Sequence, residues 1–109
     1  MIHFVWEFVA PPDQTLEFER CYAPDGPWAE LFRRAPGYRG TSLLRDAEQP
    51  RRYITIDRWE TAAAQQAMRE RFAREYEVLD LACEQLTESE RRIGVFEGEL
   101  MQQIGRAHV

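Results

Sequence analysis

The chain has 109 residues, 44% hydrophobic and 30% charged, which fits one globular domain and excludes both a second domain and a disordered chain. Fourteen basic residues stand against nineteen acidic ones, a net charge of −5, so the basic footprint of a general nucleic-acid binder is missing. All the basic residues are arginine, and without lysine Schiff-base catalysis is excluded.

Residues 2–9 alternate as a strand should, with Ile2, Phe4, Trp6 and Phe8 on one face. The other face carries His3, Val5, Glu7 and Val9 and is also half apolar. Pro11-Pro12 ends the strand, because proline cannot donate to the ladder. No basic segment precedes this stretch and Glu7 interrupts it, so neither a signal peptide nor a membrane span is expected, and a cytoplasmic protein is. Asp13 is placed to cap a helix over residues 13–22. Asp25-Gly26-Pro27 interrupts it, and Pro27 suits the first turn of a second piece with Trp28, Leu31, Phe32 and Ala35 on one side. Pro36-Gly37 stops that piece.

Residues 41–46 and 52–59 read as strands joined by a turn over 47–50, an antiparallel hairpin. Thr61 then caps a long helix. Its apolar stripe, Ala64, Met68, Phe72, Tyr76, Leu79, Cys83 and Leu86, advances by three or four residues each time, a helical face of about six turns. A last strand is expected over 93–100, flanked by Gly94 and Gly98. The order strand, broken helix, two strands, helix, strand is the ferredoxin-like β-α-β-β-α-β arrangement, an α+β fold with an antiparallel sheet and helices on one face. The second face of the sheet should then be polar, but Val5, Ile54 and Ile56 make it apolar. A second copy of the chain is the economical cover, giving a two-fold homodimer. Residues 1–103 form the single domain. Residues 104–109, with His108, lack any pattern, resemble a translated sequencing adapter, and are set apart as non-native.

The stretch from Tyr22 to Trp28, then Leu31-Phe32-Arg33-Arg34, Pro36-Gly37-Tyr38, Gly40-Thr41 and Leu43-Leu44-Arg45-Asp46, resembles the antibiotic biosynthesis monooxygenase (ABM) family. So do Tyr53–Glu60 leading into a helix, Glu75-Tyr76-Glu77, and Leu86–Glu90 before the last strand. The resemblance spans residues 2–99. It implies a dimeric α+β barrel with a pocket in each subunit between helices and sheet. Characterised members include cofactor-independent monooxygenases that oxidise aromatic polyketides to quinones with O2, others degrade haem, and many have no established activity. Haem-degrading members use an asparagine on the first strand and a tryptophan and a histidine on the long helix. The corresponding positions here fall at about Phe8, Met68 and Val78, and the chain has no asparagine at all, which argues against haem.

Trp59, closing the third strand, and Tyr76, on the helix stripe, are the residues assigned to catalysis. Trp59 either stacks on a planar substrate or closes the strand–helix corner, and the two roles are compatible. Tyr76 either orients a phenol or points its tip to solvent. Trp6, Phe8, Phe32, Tyr53, Met68 and Phe72 are assigned to substrate binding, as an apolar aromatic cavity or simply as core. Arg45, Arg58 and Asp57 lie on the hairpin, where an arginine either steadies a substrate oxyanion or joins a surface ion pair. Arg33-Arg34 reads as a solvated face, and His3 falls on the interfacial face. A base cannot be picked among Asp57, Glu7, His3 and the tyrosines. Cys21 and Cys83 match no metal motif and read as buried thiols, and no metal or cofactor is expected. The function expected is a monooxygenase acting on a small, planar, hydroxylated aromatic with O2. The alternative is a non-catalytic homodimer that binds a hydrophobic aromatic metabolite. No nucleic-acid or membrane partner is expected.

Overall fold

A strand that is apolar on both sides belongs in the middle of a sheet, and there the first strand lies. The computed structural model describes residues 1–99, so Leu100 and the tail at 104–109 lie outside the described residues. β1 (Ile2–Val9), β2 (Tyr38–Arg45), β3 (Arg52–Trp59) and β4 (Ser89–Glu97) form one antiparallel sheet in the order β2-β3-β1-β4. Phe4 pairs with Asp57, Trp6 with Thr55 and Phe8 with Tyr53, so these six side chains share one face. His3, Val5 and Glu7 share the other with Arg58, Ile56 and Ile54.

All the helices cover the first face, as expected. α1 (Thr15–Tyr22) starts after Gln14 rather than Asp13, and no side chain caps it. α2 (Pro27–Arg33) has its proline in the first turn and buries Trp28, Leu31 and Phe32. Thr61 does cap α3 (Ala62–Arg71), its hydroxyl oxygen accepting from the Ala64 N–H at 3.0 Å. The expected single long helix is interrupted. Phe72 leaves helical geometry at φ −110° and ψ 31°, and α4 (Ala73–Cys83) follows. The stripe survives because the Phe72 N–H still bonds to Met68 and the Tyr76 N–H to Phe72, which keeps these side chains turned inward.

β4 starts at Ser89, four residues before the expected Ile93. Ser-Glu-Arg-Arg reads as a charged loop, yet an edge strand tolerates charge and takes its backbone partners from β1. A bulge opposite Val5 and Trp6 gives Ile93 no partner, so Arg92 falls opposite Trp6 and Gly94 opposite Val5.

The core is split in two. One cluster holds Trp28, Phe32, Trp59, Met68 and Phe72, together with the two free, buried cysteines Cys21 and Cys83. The other holds Phe8, Ala10, Phe18 and Tyr53. Tyr22 and Leu86 touch both. The opposite sheet face is open, with Leu44 54% and Phe96 51% exposed beside the half-buried Ile54 and Ile56. No helix among the described residues is long and apolar enough to cross a membrane.

Gly37, in the turn between α2 and β2, shows how tightly the helix layer sits. Its φ is +93°, and a Cβ there would lie 2.7 Å from the Ala64 Cβ. The Gly37 carbonyl also accepts from the Glu60 N–H at 2.8 Å. Gly37→Ala is expected to lose about 1–2 kcal/mol from the backbone conformation alone, and more from the clash. Urea unfolding of the two proteins checks this, and an unchanged midpoint would show the turn to be relaxed.

Candidate active site

Between the two core clusters lies an open cavity of about 240 Å3. Each wall comes from a different element. β1 supplies Trp6 and Phe8, α1 Tyr22, α2 Trp28 and Phe32, and α4 Tyr76. These rings brace one another: Trp6 stacks on Phe8 at 6.2 Å between centroids, and Trp28 meets Tyr76 edge-on at 5.0 Å. The walls are therefore apolar, aromatic and held in place.

The polar groups are few and placed by the sheet register. Thr41, Thr55 and Asp57 line the floor. Asp57 is half-buried, with its open side toward the cavity. Burial pushes its carboxyl up from the ordinary 3.8 to about 6, against the pull of a hydrogen bond from Thr41 and of the Arg58 charge. Thr41 Oγ1 donates to Asp57 Oδ1 at 2.6 Å. The Tyr38 hydroxyl lies 2.5 Å from the same Thr41 oxygen. A threonine has one hydroxyl proton and spends it on Asp57, so Tyr38 must be the donor to Thr41. The result is a directed chain, Tyr38 to Thr41 to Asp57, ending on a carboxylate that faces the cavity.

At the rim stand Arg69, Asp80 and Glu90. The Arg69 guanidinium sits over the Tyr76 ring at 4.5 Å. Burial, and then the Asp80 charge, raise the Glu90 carboxyl above its ordinary value. Although Asp57, Asp80 and Glu90 line one cavity, no three His, Cys, Asp or Glu side chains converge as a metal site among the described residues.

Of the residues assigned from sequence, Trp6, Phe8, Phe32 and Tyr76 meet at this cavity. Trp59, 1% exposed, backs onto a neighbouring hollow. Tyr53, Met68 and Phe72 pack in the core and line neither space. The Tyr53 hydroxyl donates to Glu19 at 2.6 Å, away from the site. Arg58 turns to the open face and donates to Ser42, while Arg45 approaches Glu19. His3 bonds to the Gly98 carbonyl at 2.8 Å on the open face. Asp57 is the functional group that sequence could only number among several. Its signal was the alternation of β3, which puts it on the same side as Tyr53 and Thr55. Glu90 was missed because β4 was expected to start later.

The raised Asp57 value has a thermodynamic consequence. The folded protein holds this proton more tightly than the unfolded chain does. The stabilisation is full below 3.8 and is lost as pH rises through about 6. At ~1.4 kcal/mol per pH unit the loss is at most about 3 kcal/mol. Asp57→Asn removes that slope, so its melting temperature relative to wild type should rise between pH 4 and pH 8. Parallel melting curves across that range would mean that Asp57 is well solvated.

SnoaB, a cofactor-independent oxygenase from Streptomyces nogalater, is 23% identical, over 92% of this chain and 94% of its own, with a TM-score of 0.74. A Bordetella bronchiseptica protein, provisionally described as an antibiotic biosynthesis monooxygenase, is 22% identical over 91% and 97%, with a TM-score of 0.74. A Deinococcus radiodurans protein of the same provisional description is 15% identical over 93% and 96%, with a TM-score of 0.72. At these identities the likeness establishes the fold. No curated protein matches the chain. The family model for antibiotic biosynthesis monooxygenases matches residues 1–74, from β1 through the break at Phe72, and the chain belongs to that family.

Proposed function

We propose that the protein is a cofactor-independent monooxygenase that oxidises a small, planar, hydroxylated aromatic to a quinone with O2. The observation that carries this is a single recessed carboxylate, Asp57, with its basicity raised by burial, on the floor of an aromatic cavity. A value of about 6 leaves Asp57 ionised at pH 7 yet more basic than an ordinary aspartate. Membership of the monooxygenase family and the fold shared with SnoaB support the same reading.

The chemistry belongs mainly to the substrate. Asp57 takes the hydroxyl proton of a naphthol-like ring, and the ring anion gives one electron to O2. The radical and superoxide recombine at the ring carbon para to the oxygen. The new peroxide takes the proton back from Asp57. Loss of the ring hydrogen and cleavage of the O–O bond leave a carbonyl and water, so naphthol and O2 become quinone and water. Arg69, above Tyr76 and lining the same cavity as Asp57, favours the anionic intermediates electrostatically. Tyr76 orients the substrate oxygen, and Trp59 holds the strand end that carries Asp57. The aromatic walls exclude water from the anion.

We also propose that two copies pair through the open sheet face, with Ile54, Ile56 and Phe96 at its centre. A face with side chains as large as Leu44 and Phe96 half exposed is costly to leave in water.

Oxygen consumption with a panel of anthrones, naphthols and hydroquinones, with no metal or flavin added, tests the activity. Protein-dependent uptake with quinone formation is expected. Asp57→Asn should lower turnover by ~10²-fold or more, the range for a general base. Tyr76→Phe should lower turnover more than stability. Tryptophan quenching by the same compounds without uptake would leave only a binding protein. For the assembly, light scattering should give twice the chain mass, falling to the single-chain mass in Ile56→Glu. A wild-type monomer at micromolar concentration would overturn the dimer.

A further inference from the structure

The oxygenase chemistry leaves both thiols of the chain unused. Cys21 lies in the last turn of α1 and Cys83 ends α4. Far apart in sequence, they are free and buried in one core cluster, 8% and 3% exposed. Each sulfur is the main influence on the other's acidity, with the Cys21 thiol donating towards Cys83. No third side chain joins them as a metal site among the described residues, so the chemistry left to the pair is its own.

Tyr22 and Trp28, their rings 6.3 Å apart, line the cavity and pack in the cluster that holds the cysteines. The Trp28 Nε1–H is buried and has no hydrogen-bond partner among the described residues. A buried donor without an acceptor is costly, and a neutral thiol is only a weak acceptor. A thiolate is a strong one. Sealed from the cavity, the indole N–H serves Cys83, whose ionised form it favours. Cys83 is held below its ordinary 9.0, first by the Cys21 thiol and then, against burial, by Trp28. Cys21 is pushed up, because its proton is the one retained between the sulfurs.

We propose that Cys21 and Cys83 form a peroxide-reactive dithiol, in which Cys83 attacks, Cys21 resolves, and the pair closes to a disulfide fastening α1 to α4. The Cys83 thiolate attacks one peroxide oxygen. An S–O bond forms, the O–O bond breaks, and the departing hydroxide takes up the proton that Cys83 released. The Cys21 sulfur then attacks the Cys83 sulfenic acid. An S–S bond forms, the S–O bond breaks, and the hydroxide leaves as water with the Cys21 proton. Two thiols lose two electrons and two protons, and one peroxide becomes two waters. Access selects the oxidant. At these exposures a bulky disulfide has no approach to either sulfur, whereas hydrogen peroxide is uncharged and little larger than water. The product ties together the elements that carry Tyr22 and Tyr76, two walls of the cavity.

Treating the folded protein with hydrogen peroxide, then alkylating and mapping peptides by mass without reductant, tests the site. A single intrachain Cys21–Cys83 link is expected, two hydrogens lighter than the free peptides and reversed by dithiothreitol. Oxidised glutathione at the same concentration should leave both thiols free. In Cys21→Ser, Cys83 should stop at the sulfenic acid and be trapped by dimedone. In Cys83→Ser, Cys21 should react at least ~10-fold more slowly. Trp28→Phe keeps a ring in the cluster but removes the N–H, and should slow closure roughly 10-fold. Thiols that stay free in peroxide, links between chains, or a link that forms only in urea overturn the proposal. So does dimedone capture on Cys21 in preference to Cys83. An undiminished rate in Trp28→Phe overturns the role given to the indole.

Discussion

The pairing register between β1 and β3 is the constraint on which the molecule depends. Side chains alternate along a strand, so a slip of one residue would exchange the two faces of the sheet. Asp57 and Thr55 would turn to the open face, and Ile54 and Ile56 would enter the cavity. The native register is fixed by bulk. Phe8 and Tyr53, opposite one another, fill the second core cluster with Phe18. Trp59, opposite both Ile2 and Tyr38, fills the first. With both ends of β3 pinned, the two positions between them, Thr55 and Asp57, have one side to face. The large rings therefore position the small polar groups.

The same division explains why a chain this small contains a cavity. Two clusters that, among the described residues, share Tyr22 and Leu86 leave space between them, and the rings around that space support one another instead of collapsing into it. Placing a carboxylate there is unfavourable unless it is partnered. Thr41 supplies one hydrogen bond and Tyr38 supports Thr41, which retains the charge without quenching its basicity. A guanidinium bonded directly to Asp57 would have lowered its affinity for a proton. Arg58, its nearest arginine in sequence, is instead on the far side of the sheet, bonded to Ser42.

Much of this was legible in the residues. The alternation in β1, the stops at Pro11-Pro12 and Pro36-Gly37, and the stripe from Ala64 to Leu86 are strong signals, and the element order followed from them. The site was legible in its apolar part, because Trp6, Phe8, Phe32 and Tyr76 lie on faces that periodicity reveals. Its polar part was not. Ser89-Glu90-Arg91-Arg92 has no apolar alternation, since an edge strand at a cavity mouth needs none. The bulge at Ile93, which puts Glu90 and Arg92 inside and Phe96 outside, leaves no mark in composition. The break at Phe72 was invisible too, because the apolar spacing runs across it without a gap. Asp57 was visible on the correct strand, but its burial depends on Thr41 and on helices far away in sequence.

The strand order has a consequence for how the molecule comes into being. β1, made first, lies between β3 and β4, and its last partner is made 95 residues later, Ile2 pairing with Glu97. Closing so long a loop is slow compared with forming a local hairpin. Until then one edge of an apolar strand stands unpaired, the kind of edge that recruits other chains. β2, β3 and the helices all precede Glu90 and Arg92 along the chain. The aromatic walls of the cavity are thus complete in the chain before the final strand, which adds Glu90 to the rim, and the pairing that completes the site also completes the sheet.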